Sequence, residues 1–207
     1  MQSWGTQSRL DVRRTDLEPS KSGIVGLLCA ALGRDRQDPI EDLAGLRMGV
    51  RADKEGVLRY DYQTAQNVFK ASGKGTENVQ SWRYYLADAT FLVGLWGSDL
   101  VLLERIHQSL LNPRWTLFLG RKGYLPSQPV HLPDGLQDMP LERALAAYSP
   151  LVEPPPDKYR YALEVEEGQG GSLRFDQPLG PFFQRSFGAR RVLEVTLPRG
   201  AAPHVHQ

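Results

Sequence analysis

The stretch from Pro19 to Arg34, PSKSGIVGLLCAALGR, constrains this chain more than any other. Ile24, Val25, Leu27, Leu28, Cys29, Ala30, Ala31 and Leu32 leave no polar face, so the spacing predicts a helix buried all round. Gly33 is a natural C-cap, and Ser20 and Ser22 are both candidate N-caps. Lys21 sits between the two serines. A helix start with hydroxyls and one cation attracts anions, phosphate above all. A capped core helix carrying an incidental lysine is the other reading, and the stretch alone leaves both open. It is not a nucleotide P-loop, which needs glycines ahead of the lysine. Around one such helix, a chain of 207 residues builds a full core, in one domain or one domain plus a small annex.

The single cysteine, Cys29, allows no disulfide within the chain and fits a reducing compartment. No apolar run approaches the roughly 20 residues of a membrane span. No basic-then-apolar leader opens the sequence. The expectation is a cytoplasmic protein. Charge is balanced at 25 basic and 24 acidic residues, which hides local asymmetry.

Arg9, Arg13 and Arg14 lie near Trp4, an association of arginine with an aromatic that single-stranded nucleic acid favours; a solvated loop is the plainer reading. Ile40 to Leu46 is read as a helical turn and Leu46 to Ala52 as a strand. Leu58, Tyr60, Tyr62 and Thr64 alternate like one strand face, and a polar tract with Lys70, Lys74 and Gly73–Gly75 follows. Between Arg47 and Arg83 there are seven basic and four acidic residues. This excursion reads as a projecting hairpin, a thumb at about 57–83. Tyr84 to Trp96 reads as the clearest strand. Ser98 or Asp99 caps a second helix that runs through Leu111 and stops at Pro113. Trp115 to Leu119 reads as a strand running into Gly120-Arg121-Lys122-Gly123, a turn able to offer backbone N–H groups and two cations to a phosphate, or simply a basic turn.

From Pro126 proline becomes dense. Asp134 to Glu167 holds eight acidic and three basic residues, a poor surface for RNA and a better one for solvent or a basic partner protein. Tyr159–Glu166 and Ser172–Phe175 read as strands joined by the turn Gly168–Gly171, and Arg190–Leu197 as a last strand. With one strand ahead of the first helix, the elements up to Leu119 follow the β-α-β-β-α-β order of ferredoxin-like α+β folds, a plan used by RNA-recognition modules. The expected division is 1–125, a ferredoxin-like domain with the thumb, and 126–207, a small β-rich part.

An ordered set of short motifs adds a resemblance. Gln2-Ser3-Trp4-Gly5, Pro19-Ser20-Lys21-Ser22-Gly23, Gly49-Val50-Arg51, Asp61-Tyr62-x-Thr64-Ala65, Trp82-Arg83-x-Tyr85-Leu86-x-Asp88-Ala89 and Pro113-Arg114 leading to Leu119-Gly120-Arg121-Lys122 resemble the CasD family. These are the handle-binding subunits of type I-E CRISPR Cascade complexes, within the RAMP superfamily of ferredoxin-like RNA binders. The likeness covers about Met1 to Pro129. Family members carry an apolar strand just ahead of the Gln-Ser-Trp-Gly segment. This chain begins at that segment, so its sheet is expected to lack the first strand.

The resemblance implies a subunit without catalysis and without a cofactor or metal. It implies a grip on the 5′ handle of the CRISPR RNA and packing against the backbone subunit CasC and the large subunit CasA, with target DNA nearby through the complex and no membrane. Carried over, Ser20, Lys21 and Ser22 hold handle phosphate at the helix start; Gly120, Arg121 and Lys122 do so from the turn. Tyr62, Thr64, Trp82 and Arg83 lie at the thumb base, where Tyr62 and Trp82 serve either RNA or packing. Gln2, Ser3, Trp4 and Arg9 edge the pocket. Two alternatives stand beside it. One is a CRISPR repeat endoribonuclease, for which His131 is the histidine to consider. The other is a general RNA-binding or protein-interaction module.

Overall fold

A computed structural model describes residues 1–6 and 11–204. Arg9 therefore lies outside the described residues. In chain order the elements are β1 (Val12–Arg13), α1 (Lys21–Leu32), α2 (Glu41–Ala44), β2 (Arg47–Lys54), β3 (Val57–Phe69), β4 (Thr76–Ala87), β5 (Thr90–Trp96), α3 (Leu100–Leu111), α4 (Leu141–Ala147), β6 (Lys158–Val165), β7 (Ser172–Pro178) and β8 (Phe187–Pro198).

The main sheet has five strands in the order β5-β2-β6-β8-β7. Its strand β2 is buried on both faces, as a central strand must be. Met48 and Val50 enter the principal core with the apolar residues of α1 and α3. Arg51 and Asp53, on the alternate positions, point to the side covered by α4. There Leu141 and Leu145 of α4 pack with Tyr159, Tyr161 and Leu163 of β6 in a second cluster. The sheet is thus a layer between α1 and α3 on one side and α4 on the other.

Helix α1 forms as its apolar run requires. Ser20 caps it, accepting a hydrogen bond from the Gly23 N–H, and Gly33 ends it at φ +75°. Asp99 caps α3, accepting from the Leu102 N–H at 3.0 Å. The thumb is real: β3 and β4 form a long antiparallel hairpin whose β3 is exposed along its whole length. Short β1 pairs parallel to β4 and completes a three-stranded sheet.

Several expectations need correction. The run from Tyr84 to Trp96 is two strands, broken where Asp88 takes φ +56°. Trp115 to Leu119 is not a strand. Its first N–H groups reach back to α1, Arg114 N–H to Ala31 O at 2.9 Å and Trp115 N–H to Ala30 O at 3.0 Å. The second neighbour of β2 is β6, from the C-terminal part of the chain. β6 and β7 do not form a hairpin, because β8 lies between them and pairs with both. Helix α4 was not foreseen. No strand before α1 joins the five-stranded sheet among the described residues; Gln2 makes only an isolated bridge to Leu86, and β5 stands at the sheet edge. The line drawn at 125/126 crosses a continuous sheet, since β2 and β6 are hydrogen-bonded neighbours. No helix among the described residues is long and apolar enough to cross a membrane.

Candidate nucleic-acid interface

The start of α1 attracts an anion, and the chain supplies that anion itself. The Lys21 N–H donates to Asp176 Oδ2 at 2.7 Å. Lys21 Nζ donates to both Glu164 oxygens, at 2.7 and 2.9 Å. Arg190 closes the group, its Nε and Nη2 donating to Asp176 at 2.7 and 2.9 Å and its Nη1 standing 3.7 Å from Glu164. Lys21 is 2% exposed. Burial pulls its ammonium below the ordinary lysine range, and Glu164 pulls back the other way. Burial would raise the Asp176 carboxyl, but Arg190 and the Lys21 N–H outweigh it and hold it below the usual carboxylate range. Asp176 and Glu164 thus stand where the resemblance implied handle phosphate. Lys21 faces inward, Ser20 is buried as the cap, and Ser22 is half-buried.

Gln2, Ser3 and Trp4 are likewise internal braces. Trp4 is 2% exposed and lies in the principal core. Its Nε1–H donates to Gln2 Oε1 at 3.0 Å, and Gln2 Nε2 donates to Ala89 O at 2.7 Å. Ser3 reaches both ways: its Oγ donates to Tyr84 O at 3.1 Å and its N–H to Leu119 O at 3.0 Å. The segment thereby ties the 120–123 turn to the base of the thumb. Gly120 has φ +87°, and a Cβ built there would lie 1.7 Å from Ser3 O, so only glycine fits.

That tie brings cations from distant segments onto one face. Arg121 Nη2 donates to Arg13 O at 3.1 Å, and its guanidinium lies over the Tyr124 ring at 5.8 Å. Tyr124 in turn packs against Tyr85 of β4, centroids 5.8 Å apart. Arg13 is the register partner of Arg83, and Arg59 that of Tyr85, so these side chains leave the same face of the hairpin base. Lys122 is exposed beside them. Asp61, opposite Arg83, is the one acid among these cross-strand pairs. Among the described residues none of Arg13, Arg59, Arg83, Arg121 and Lys122 forms an ion pair.

Other cations are paired with carboxylates. Arg34 pairs with Asp42, Arg47 with Glu142, Arg51 with Asp53, Arg160 with Glu18 and Glu55, and Arg174 with Glu18 and Glu194. Two of the acids counted in Asp134–Glu167, Glu142 and Glu164, are used in the same way, and Asp134 accepts from the Tyr148 hydroxyl at 2.5 Å.

Strand alternation separates residues that the sequence grouped. Tyr62 packs on Trp82 at 5.3 Å and Tyr60 on Tyr84 at 5.7 Å. These pairs, with Thr64 opposite Gln80, occupy the face away from Arg83 and Tyr85. The contribution of Arg59, Tyr85 and Tyr124 was missed; odd-numbered alternation through 59, 83 and 85 was the available signal for the first two. His131 lies against His107, Nε2 to Nε2 at 3.2 Å with ring centroids 4.4 Å apart.

The comparisons agree with this architecture. The family model for the Cas5 group of CRISPR-associated proteins matches residues 1–193. The chain is 30% identical over 166 residues to the Cascade subunit CasD of Escherichia coli strain K12, covering 73% of this chain and 74% of that one. A Cas protein of known crystal structure superposes with a TM-score of 0.81 at 49% identity, covering 98% of this chain and 92% of the other. A chain of a CRISPR RNA-guided surveillance complex superposes with a TM-score of 0.77 at 28% identity, covering 96% and 86%. The chain belongs to the Cas5 family of CRISPR-associated proteins.

Proposed function

We propose that this chain is a Cascade-type subunit that grips the 5′ handle of the CRISPR RNA and caps the backbone of the complex, without cutting the RNA. One observation carries the reading: Arg13, Arg83, Arg121 and Lys122, which form no ion pair among the described residues, gather around the Tyr85–Tyr124 stack. Cations that track phosphates beside aromatic rings suit a single strand. The relative from Escherichia coli is a Cascade subunit, and a structural neighbour is part of an RNA-guided complex. The backbone subunit CasC and the large subunit CasA are the partners, target DNA is nearby through the complex, and the setting is the cytoplasm.

In this reading Gln2, Ser3 and Trp4 hold the 120–123 turn in place, Ser20 caps α1, and Lys21 holds α1 to the strands of 126–207. The test is binding of the repeat-derived handle RNA, against a scrambled RNA of equal length, over a range of salt. Preference for the handle, with intact RNA recovered, supports the proposal. Equal binding of both RNAs points to a general module, and specific cleavage lost in His131→Ala points to the endoribonuclease.

A further inference from the structure

Two histidines 24 residues apart meet ring to ring. His107 Nε2 stands 3.2 Å from His131 Nε2, with the centroids 4.4 Å apart and the planes inclined at 53°. Each ring is carried by an anchored piece of chain. His107 follows the buried Ile106 on α3, a helix capped by Asp99. His131 lies between Val130, which packs on the principal core, and Leu132, which packs on the cluster beneath α4. The turn after it is closed by the Gly135 N–H, which donates to Leu132 O at 2.9 Å. Both rings are half-buried. Ordering two side chains against each other costs rotamer freedom, and the packing beside each ring has already met much of that cost.

A hydrogen bond between neutral imidazoles is one reason for two rings to meet, one donating and the other accepting. Such a bond is best head-on, which would set the centroids roughly 5.5 Å apart. At 4.4 Å the rings are folded toward each other, so at least one Nε2 points off the line that joins them. Two ligands of one ion also point off that line, toward the ion. Nitrogens at zinc-ligand distance from one tetrahedral ion stand about 3.3 Å from each other. The observed 3.2 Å matches that spacing. Neutral imidazole suits zinc, nickel and copper, whereas magnesium and calcium take oxygen. Among the described residues no group of three or more His, Cys, Asp or Glu converges on a metal position, so water completes the coordination.

We propose that His107 and His131 are two ligands of one zinc-class divalent ion, which pins the 126–140 segment to α3. Both rings then carry their proton on Nδ1 and give the ion the Nε2 lone pair. His131 so engaged has no lone pair left with which to take a proton from RNA. The pin is independent of what the arginine face binds.

The experiment uses the untagged full chain, stripped with chelator and melted with zinc chloride, with magnesium chloride or with neither. Excess zinc should raise the thermal midpoint by at least about 3 °C, and magnesium should leave it unchanged. Calorimetry should show a zinc-binding step of one ion per chain that requires both rings. His107→Gln and His131→Gln should each abolish the zinc shift while melting within about 2 °C of wild type without metal. The double variant His204→Ala, His206→Ala should keep the shift, which sets aside the imidazoles of the C-terminal tail. No zinc shift in the wild type, or a shift kept by either glutamine variant, would leave the pair as a hydrogen bond alone and overturn the proposal. Loss of the shift in the tail variant would overturn it as well. Should both glutamine variants fail to fold, the imidazole NMR signals of His107 and His131 in the wild type decide. Zinc must move both together, and unmoved signals refute the site.

Discussion

Replacing Lys21 by alanine separates the two readings of the α1 start. In the structure Nζ makes bonds of 2.7 and 2.9 Å to Glu164 and is almost fully buried. Removing one partner of a buried pair costs about 3–5 kcal/mol, because the other charge is left desolvated. Here Glu164 keeps the Met48 N–H at 3.2 Å and Arg190 at 3.7 Å, and its side chain is 18% exposed, so the loss is nearer about 2–3 kcal/mol. For a chain of this size that corresponds to a fall of about 5–10 °C in thermal midpoint. Handle affinity, measured on folded protein below the transition, should keep the wild-type dependence on salt. The paired change Lys21→Met, Glu164→Leu should recover most of the lost stability, since it leaves no charge stranded. The reasoning is refuted if Lys21→Ala melts within about a degree of wild type while its salt slope drops by about 0.7, the signature of one lost phosphate contact to a single strand.

Other outcomes follow from the same geometry. Arg83→Ala and Arg121→Ala should each lower the salt slope of handle binding by about 0.7 with little change in thermal midpoint, as titrations at several salt concentrations would show. Gly120→Ala should cost about 2 kcal/mol or more, since its φ is +87° and its new Cβ would meet Ser3 O; thermal melting reads the loss. Asp176 has a folded pKa below its unfolded value, so its stabilisation is present above about pH 4 and is lost as pH falls through the folded pKa. Asp176→Asn should therefore melt lower at pH 7, with the gap to wild type narrowing toward pH 3. Burial pushes the Cys29 thiol up to about 11, so at pH 8 iodoacetamide should modify it only after denaturant unfolds the chain.

Local signals in the sequence were reliable where the cause is local. Helix α1 was legible because no ring of positions was left polar, and its ends because Ser20 and Gly33 are chemically suited to them. The thumb was legible from alternation followed by a polar glycine-rich tip. What failed was pairing over distance. The groups that meet Lys21 lie 143 and 155 residues away, and no periodicity near Lys21 marks them. The apolar, β-prone run Trp115–Leu119 reads as a strand by composition, but its amides are engaged by the last turn of α1. The Gly168–Gly171 turn looks like a hairpin turn, yet β8, still unread at that point of the chain, inserts between the strands it joins. The site was half legible for a related reason. Arg83, Arg121 and Lys122 could be named one by one, but only the fold brings Arg13, Tyr85 and Tyr124 to them, and only the alternation of β3 and β4 sends Tyr62 and Trp82 the other way.

The way charge is used across the molecule explains why that matters for binding. The formal net charge is +1, so the chain as a whole exerts little long-range pull on RNA. Attraction must come from cations that no carboxylate neutralises, and it acts over about a Debye length, roughly 8 Å at physiological salt. Around the main sheet the carboxylates of Glu18, Asp53, Glu142, Glu164 and Asp176 are placed against arginine or lysine and remove those charges from the outside field. At the thumb base, strand register puts Arg13 beside Arg83 and the Gly120 turn delivers Arg121 to the same face, with Asp61 opposite Arg83. The lysine of the Pro-Ser-Lys-Ser-Gly motif thus spends its charge internally, and the proposed RNA surface draws instead on cations that form no ion pair among the described residues.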